Sequence, residues 1–418
     1  MKKNIPLLFC AMISLFTLFS SCKKENGSKK AGKTITLFTP VYGPKNAALD
    51  GLNGNPNEAV SQTGKIYIKD NFIYLNDQNK GIHVFDNSNP SNPIKIAFLS
   101  IPGNLDIAIK DNTLYADMYS DLLAIDISNP RQAAITNKIE NFFTGRSYVN
   151  GFPAIMNENI VVQWLQRDTI VEENDNLFPG CQLCAGGDIL TLSAAGIKST
   201  GTAGSMAGMV LMNDHLYAIT ESHNVGIVDI RNAGNPQLLN SFFAGFDLQT
   251  IFPFEGKLFL GSAVGMFMYD VSNPQLPVSL GEFTHGRACD PVITDGQYAY
   301  VTLHAGELCG GEANELHVID IRNLPQSQLV KTYQLTKPTG LSKEGNLLFV
   351  CDETEVKVYN ANNPGDLRIL NRIRGSQPYD VITNNGKAIV VCSNGLYQYD
   401  YSNINSIRQL SFIAAKKK

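Results

Sequence analysis

Carboxylates stand at the beginnings and ends of short apolar segments of the chain, where side chains from several segments could meet. Asp106, Asp290 and Asp380 begin such segments, and Asp117 and Asp352 end them. Oxygen ligands that converge in this way suit a hard cation such as Ca²⁺. Acidic residues at segment ends are equally typical of a solvated surface. The sequence therefore leaves two interpretations open, a calcium site and no cofactor at all.

A second group combines histidines with an arginine. His285, Arg287 and His304 lie close in sequence to Asp290, and a histidine beside a carboxylate can transfer protons when its pKa is suitable. The sequence contains no Gly-x-Ser-x-Gly motif that would supply a nucleophile. We therefore predict a binding face rather than a catalytic site, formed by Asp106, Asp117, His285, Arg287, Asp290, His304, Asp352 and Asp380.

Charge and composition narrow the class of partner and of fold. The chain has 34 Lys and Arg against 38 Asp and Glu, a formal net charge of −4. This balance gives no basic surface for phosphates, so we expect no nucleic-acid partner. The 35 glycines and 19 prolines favour many short strands joined by tight turns over helices.

One motif recurs along most of the chain and determines the expected fold. It is a short apolar strand ending in an acidic residue, often followed by Ser-Asn-Pro, and the acidic position falls at Asp86, Asp126, Asp229, Asp270, Asp320, Asn360 and Asp400. Most copies lie about 40 residues apart, a period that with four strand-like segments per unit is typical of β-propeller blades. We predict that each aspartate caps the turn between the third and fourth strands by accepting backbone N–H groups.

The longest interval between two copies decides the expected number of blades. Asp126 and Asp229 are 103 positions apart, which fits one irregular third blade with an insertion at about 146–204. We therefore predict an all-β fold, a propeller of eight four-stranded blades over 64–413, with seven blades as the alternative. Residues 34–63 are predicted as a strand and loop, the strand adding to the last blade. Trp164 and Phe152 of the irregular blade are either core residues or an exposed aromatic contact.

The cysteines are consistent with an oxidising compartment. Cys289 and Cys309 fall at a first-strand entry and a second-strand exit of one blade, so we predict a disulfide between them. Cys181 and Cys184 are predicted as a short-loop disulfide, with a redox dithiol or half of a metal site as alternatives. Cys351 and Cys392 end apolar strands in adjacent blades, and we expect them to be buried, inert thiols. The remaining two, Cys10 and Cys22, belong to the N-terminal segment.

The N-terminal segment predicts export. Lys2 and Lys3 precede an apolar stretch from Ile5 to Phe19, which is typical of a secretion signal and too short for a comfortable membrane span. Ser20-Ser21-Cys22, followed by a polar run, resembles the lipobox of bacterial lipoproteins, although Phe19 stands where leucine is usual. The resemblance implies a signal peptide at 1–21, an acylated Cys22 and a flexible tether at 22–33.

The repeat motif resembles the LVIVD-repeat family of bacterial β-propellers, here in the form of a Bacteroidetes-like surface lipoprotein. This resemblance implies a fold and no agreed activity. We expect a lipid-anchored protein of the outer membrane or cell surface, a binding scaffold for a protein or glycan. The alternative is an extracytoplasmic hydrolase or lyase that uses the channel-face carboxylates with His285 or His304.

Overall fold

The computed structural model describes residues 33–171, 205–288, 291–305, 311–375 and 377–416. The chain divides into two compact units, one of Met1–Leu37 with Arg167–Leu190 and one of Phe38–Gln166 with Thr191–Lys418. In the first unit the described residues are 33–37 of β1 (Lys33–Pro44) and 167–171 of β13 (Asn159–Val171). There Thr36 Oγ1 donates a hydrogen bond to Asp168 Oδ1 at 2.6 Å.

The described residues of the second unit form seven four-stranded antiparallel sheets, numbered 1 to 7 in chain order. Their first strands are β2 (Thr63–Lys69), β6 (Ile107–Lys110), β14 (Met209–Met212), β18 (Leu248–Phe254), β22 (Val292–Thr294), β26 (Pro338–Glu344) and β30 (Pro378–Asn384). Their second strands are β3 (Phe72–Asp77), β7 (Thr113–Met118), β15 (His215–Glu221), β19 (Lys257–Ser262), β23 (Tyr298–Leu303), β27 (Leu347–Asp352) and β31 (Lys387–Cys392).

The outer half of each sheet completes the unit. The third strands are β4 (Gly81–Asp86), β8 (Asp121–Asp126), β16 (Asn224–Asp229), β20 (Gly265–Asp270), β24 (Glu315–Asp320), β28 (Glu355–Asn360) and β32 (Gly395–Asp400). The fourth strands are β5 (Ile94–Ser100), β9 (Ala134–Ile139), β17 (Gln237–Phe243), β21 (Val278–Thr284), β25 (Gln328–Gln334), β29 (Arg368–Arg374) and β33 (Arg408–Ala414).

The seven sheets follow one another in chain order, and the space that their first strands surround is called the central channel. First strands contact each other in the order β2, β6, β14, β18, β22, β26 and β30, and β2 also contacts β31 of sheet 7. Sheets 7 and 1 share an apolar cluster that includes Ile66, Leu75 and Val391. Asn87 and Gln398 exchange two side-chain hydrogen bonds of 3.1 and 2.8 Å between the same sheets. The contacts therefore return from the last sheet to the first.

The predicted eighth blade is not confirmed by the described residues. Within the predicted irregular blade, β11 (Phe152–Pro153) pairs with β10 (Tyr148–Val149) in a two-stranded sheet. The strand β12 (Ile155–Met156) joins β13 and β1 in a three-stranded sheet. The strand predicted over 34–42 thus pairs with β13 and not with the last blade. The sequence could not show this, because the residues of an edge strand do not specify which strand will pair with it.

Burial follows the predicted difference between inner and outer strands. β31 is buried from Ala388 to Cys392, whereas β33 alternates between exposed and half-buried positions. In every sheet the pairing of the third with the fourth strand contains a register shift. Such bulges increase strand twist, which suits the outermost strand of a stacked sheet.

The recurring aspartate has the predicted role in all seven sheets. Each acidic or asparagine side chain at the end of a third strand accepts the backbone N–H two residues later, at 2.8–3.0 Å, from Ser88, Ser128, Arg231, Ser272, Arg322, Asn362 and Ser402. Asn360 does this as well as the aspartates do. The motif is therefore a device for making the turn into the fourth strand.

Helices are few among the described residues. One α-helix, α1 (Lys45–Asp50), follows β1, and short 3-10 turns occupy Pro130–Gln132, Thr144–Arg146 and Leu324–Gln326. Lys45 forms an ion pair with Asp121, which attaches the start of α1 to sheet 2. In the part of the chain that the structure describes, no helix has the length and apolarity needed to cross a bilayer.

Candidate functional site

The inner edges of the first strands bring two of the candidate carboxylates beside a buried lysine. Lys65 of β2 has a side chain only 2% exposed, and its Nζ forms an ion pair with Asp106 at the entry to β6. Asp380 of β30 is fully buried and also acts electrostatically on Lys65. Lys65, Asp106 and Asp380 are called the axial cluster below. The ammonium group of Lys65 therefore lies beside two of the carboxylates for which the sequence suggested a cation.

Burial perturbs both partners of the axial ion pair. Desolvation lowers the pKa of Lys65, and the attraction of Asp106 partly offsets this. Desolvation likewise raises the pKa of Asp106, which Lys65 and the backbone N–H groups of Ile107 and Gly208, at 2.7 and 2.8 Å, oppose. Each charge is tolerated in the interior because the other is present.

Three carboxylates at the ends of second strands bind the chain that enters the first strand. Asp77 accepts the backbone N–H groups of Ser61 and Gln62 at 2.8 and 2.9 Å. Asp117 accepts those of Leu105 and Asp106 at 2.9 and 2.8 Å, and Asp352 accepts those of Thr336 and Lys337 at 2.9 and 2.7 Å. Each also has a basic partner, which is His83, Arg146 or Lys357 respectively. The arrangement closes a backbone loop at the same point of three sheets.

The His83 partner makes stability depend on pH. His83 is fully buried, and its Nε2 lies 3.1 Å from Asp77 Oδ2. Burial lowers the pKa of His83, although Asp77 opposes this shift. The unfolded chain therefore takes up a proton near pH 6.5, before the folded chain does. The contribution of His83 to the free energy of unfolding should be fully present above pH 6.5. Below that pH it should fall by up to about 1.4 kcal/mol per pH unit.

Urea unfolding at pH 7.5 and 5.5 would measure this loss. The variant H83Q should show a smaller difference between the two pH values than the wild type does. His223, whose side chain is 46% exposed, supplies the matched control H223Q, which should retain the wild-type difference. An equal pH dependence in wild type and H83Q would contradict the role given to His83.

The histidine and arginine candidates lie in the segments that follow β21 and β23. His285 follows β21, the outermost strand of sheet 4, and its Nδ1 lies 2.6 Å from the carbonyl oxygen of Gly286. Its ring centroid is 6.3 Å from that of His317 on β24. Arg287 donates to Asp247 across 3.2 Å, and half-buried His304 follows β23. His304 thus lies at the end of a second strand, as Asp77, Asp117 and Asp352 do, while His285 and Arg287 lie in the link between sheets 4 and 5.

Exposed aromatic side chains adjoin Arg287. Phe243 at the end of β17 is 53% exposed and Phe246 in the link to β18 is 64% exposed. Their ring centroids lie 5.1 Å apart in an edge-to-face arrangement, and His223 lies 6.3 Å from Phe243. Asp247, the next residue, pairs with Arg287. We call His223, Phe243, Phe246, Asp247 and Arg287 the rim patch.

A glycine fixes the shape of the rim patch. Gly245 has φ +138°, and a Cβ at this position would meet the ring of Phe267 at 2.5 Å. The link thus passes directly over Phe267 and leaves Phe246 directed away from the core. Sequence reasoning did not select Phe243 or Phe246, although the run Phe242-Phe243-Ala244-Gly245-Phe246 is a signal that could have drawn attention to them.

Lys65 was also missed, and an alignment of the repeats would have found it. Lys65 precedes Ile66 as Asp106 precedes Ile107 and Asp380 precedes Val381. The three residues therefore occupy one repeat position that faces the channel. Phe152 and Trp164 show elements of both predicted roles, because their rings lie 6.1 Å apart while Phe152 is 37% exposed and Trp164 packs against the core.

Several predicted residues fall outside the described part of the chain. They are Cys22, Cys181, Cys184, Cys289, Asp290 and Cys309. Cys351 and Cys392 are buried thiols, and burial raises the pKa of Cys351. Within the described ranges, no group of three or more His, Cys, Asp or Glu side chains is arranged to hold a metal ion.

Comparison with known proteins identifies the repeat and the fold. The LVIVD repeat model matches residues 62–97 and 105–136, which include most of sheets 1 and 2. A search of curated proteins gives no match. A Lactobacillus plantarum protein aligns with TM-score 0.55 at 10% identity, over 85% of this chain and 95% of its own.

Two further structures support the same fold assignment. The periplasmic gluconolactonase PpgL of Pseudomonas aeruginosa aligns with TM-score 0.54 at 10% identity, over 86% of this chain and 97% of its own. Sqt1 of Saccharomyces cerevisiae aligns with TM-score 0.52 at 10% identity, over 86% of each chain. At this identity the likeness concerns the fold alone. The chain is therefore a β-propeller repeat scaffold that carries LVIVD repeats.

Proposed function

We propose that the protein is an exported, lipid-anchored scaffold of the cell envelope that binds a protein partner through the rim patch. The observation that carries this proposal is the exposed pair Phe243 and Phe246, at 53% and 64% exposure, beside the Asp247–Arg287 ion pair. Aromatic residues, including phenylalanine, and arginine are enriched in the buried cores of protein interfaces. Exposed aromatic side chains that cluster in this way mark an interaction site.

The geometry of the rim patch favours a protein over a glycan. The rings of Phe243 and Phe246 meet at 74°, so they form no flat platform on which a sugar ring could stack. They offer one edge and one face, which apolar and aromatic side chains of a partner can contact. We further propose that seven blades form the ring and that the segment with β10 to β13 is an excursion from it.

Replacement of both rim phenylalanines should abolish partner binding. The double variant F243A/F246A of the full-length protein should lose a cross-linked partner in intact envelopes at least about tenfold, since two hot-spot residues are removed. The control L276A/V278A removes apolar side chains that are 67% and 53% exposed elsewhere on sheet 4 and should retain the cross-link. The cross-linked partner protein is identified by mass spectrometry. Equal yields from the two variants would refute the assignment of the surface.

Lipid attachment is proposed at Cys22 on the basis of the residues that precede it. Incorporation of a labelled fatty acid should be lost completely in C22A, because the thiol is the acceptor. The variant C10A, which changes the other cysteine of the N-terminal segment, should incorporate the label normally. Both proteins are also assayed for release from membranes by high salt. Label that persists in C22A would exclude the lipid anchor and leave the rim proposal intact.

A further inference from the structure

A short segment of the chain crosses the mouth of the central channel. Ser205 to Met209 leads into β14 of sheet 3, where Ile219 donates its N–H to the carbonyl of Gly208 at 2.9 Å. Yet residues of this segment also form hydrogen bonds with residues in, or directly before, the first strands of five other sheets. A segment this short can reach all of them only by lying across the space that the first strands surround. We call Ser205–Met209 the plug.

The far end of the plug is held by its serine. Ser205 is fully buried, and its Oγ accepts the backbone N–H of Leu341 in sheet 6 at 2.8 Å. The same hydroxyl donates to Asp380 Oδ1 in sheet 7 at 3.3 Å. Gly340 makes room for this contact, since a Cβ there would collide with the Asp380 carboxylate. The hydroxyl is thus bound by one donor and one acceptor.

The rest of the plug is held through its backbone. The carbonyl of Ala207 accepts the N–H of Ile251 in sheet 4 at 2.6 Å. The N–H of Gly208 donates to Asp106 Oδ2 in sheet 2 at 2.8 Å, and the carbonyl of Met209 accepts from Lys65 Nζ in sheet 1 at 2.6 Å. Lys65, Asp106 and Asp380 therefore contact peptide groups and a hydroxyl. Ala207 and Gly208 have small side chains or none, so their contacts to the surrounding sheets are made by the backbone.

We infer that the channel mouth is a peptide-binding site which the chain fills with its own segment. Ile251 and Leu341 occupy the same position of their first strands, and the N–H of each donates to the plug instead of to a neighbouring strand. Such a strand edge binds an extended peptide through its backbone. The axial cluster adds one donor and two acceptors. The ligand class is an extended peptide with a hydroxyl residue followed by small residues. This inference requires neither lipid attachment nor the rim patch.

The intramolecular occupant sets the conditions for an external one. A tethered segment competes at an effective concentration in the millimolar range, so the wild type should not exchange it for a free peptide. The variant S205A removes the hydroxyl that binds both Leu341 and Asp380. Loss of that contact should raise hydrogen exchange at the Leu341 amide roughly five- to tenfold.

Hydrogen exchange with mass spectrometry on the full-length protein tests the inference. In S205A, the fragments that contain Ile251 and Leu341 should exchange faster, and acetyl-Ser-Met-Ala-Gly-amide should restore protection. The peptide acetyl-Ala-Met-Ala-Gly-amide should not. Ser272, an exposed serine of a sheet 4 turn, supplies the control S272A, which should behave as the wild type does.

Three results would overturn the inference. They are unchanged exchange in S205A, protection restored by neither peptide, and protection restored equally by both. If S205A does not fold, G208A replaces it, because the added methyl would lie 3.3 Å from Asp106 Oδ2 and loosen the plug more gently. The same peptides and the same fragments then decide between the outcomes.

Discussion

The variant K65M should lower the free energy of unfolding by about 3–5 kcal/mol, the usual loss when one partner of a buried ion pair is removed. Lys65 is the cation of the axial cluster, and without it the carboxylate of Asp106 stays buried with a negative charge beside Asp380. Methionine keeps the length of the side chain, so little packing is lost. The change also removes the donor to the Met209 carbonyl. Urea unfolding at pH 7.5 measures the effect.

A lysine on the same strand provides the control for K65M. Lys69 also belongs to β2 and pairs with exposed Asp70 at 2.6 Å, so K69M should cost at most about 1 kcal/mol. The double variant K65M/D106N should be more stable than K65M alone, because it removes the uncompensated charge. Similar losses in K65M and K69M would mean that the axial ion pair is not what stabilises the channel.

The repeating part of the structure could be predicted because each copy carries the same local chemistry. The turn after each third strand needs an oxygen that accepts the N–H two residues later, and the sequence displays that oxygen seven times. The apolar second strands, such as Ala388 to Cys392, likewise reveal their burial directly. Turn chemistry and burial are local properties, and the types of the residues concerned indicate both of them.

The partners of charged residues could not be predicted in this way. Asp106 and Asp117 stood out as carboxylates at strand ends, but their counter-charges come from Lys65 on another sheet and from Arg146 in the segment after sheet 2. A carboxylate that is available to bind a ligand and one that is paired with a basic side chain look identical in sequence. Only the folded chain distinguishes them, because pairing depends on contacts between distant segments.

The pairing of the strands in the irregular segment could not be predicted for a related reason. The interval between Asp126 and Asp229 is long enough for a blade, and Phe152 to Met156 and Asn159 to Leu165 have the composition of strands. In the structure Phe152 and Pro153 pair with β10, while Ile155–Met156 and β1 both pair with β13. Composition indicates that a segment will be a strand, while the choice of neighbour is made by packing.

Asp117 tests whether a carboxylate chosen as a binding residue is in fact structural. The variant D117N should be destabilised by about 3–5 kcal/mol. Asp117 Oδ1 accepts N–H groups from Leu105 and Asp106, and Oδ2 pairs with Arg146, whose side chain is 7% exposed. An amide can replace only one of these oxygens, and its NH₂ group would then face the buried guanidinium. Burial already lowers the pKa of Arg146 to about 9, so the loss of its partner leaves an unfavourable charge.

The control for D117N is built into the repeat. Asp126 of the same sheet accepts one N–H from Ser128, and Asn360 performs the equivalent task in sheet 6, so D126N should alter stability by about 1 kcal/mol or less. Below its unfolding temperature, D117N should still form the cross-link that F243A/F246A loses, because the rim patch is intact. Normal stability together with a lost cross-link would reverse the interpretation and return Asp117 to the binding surface.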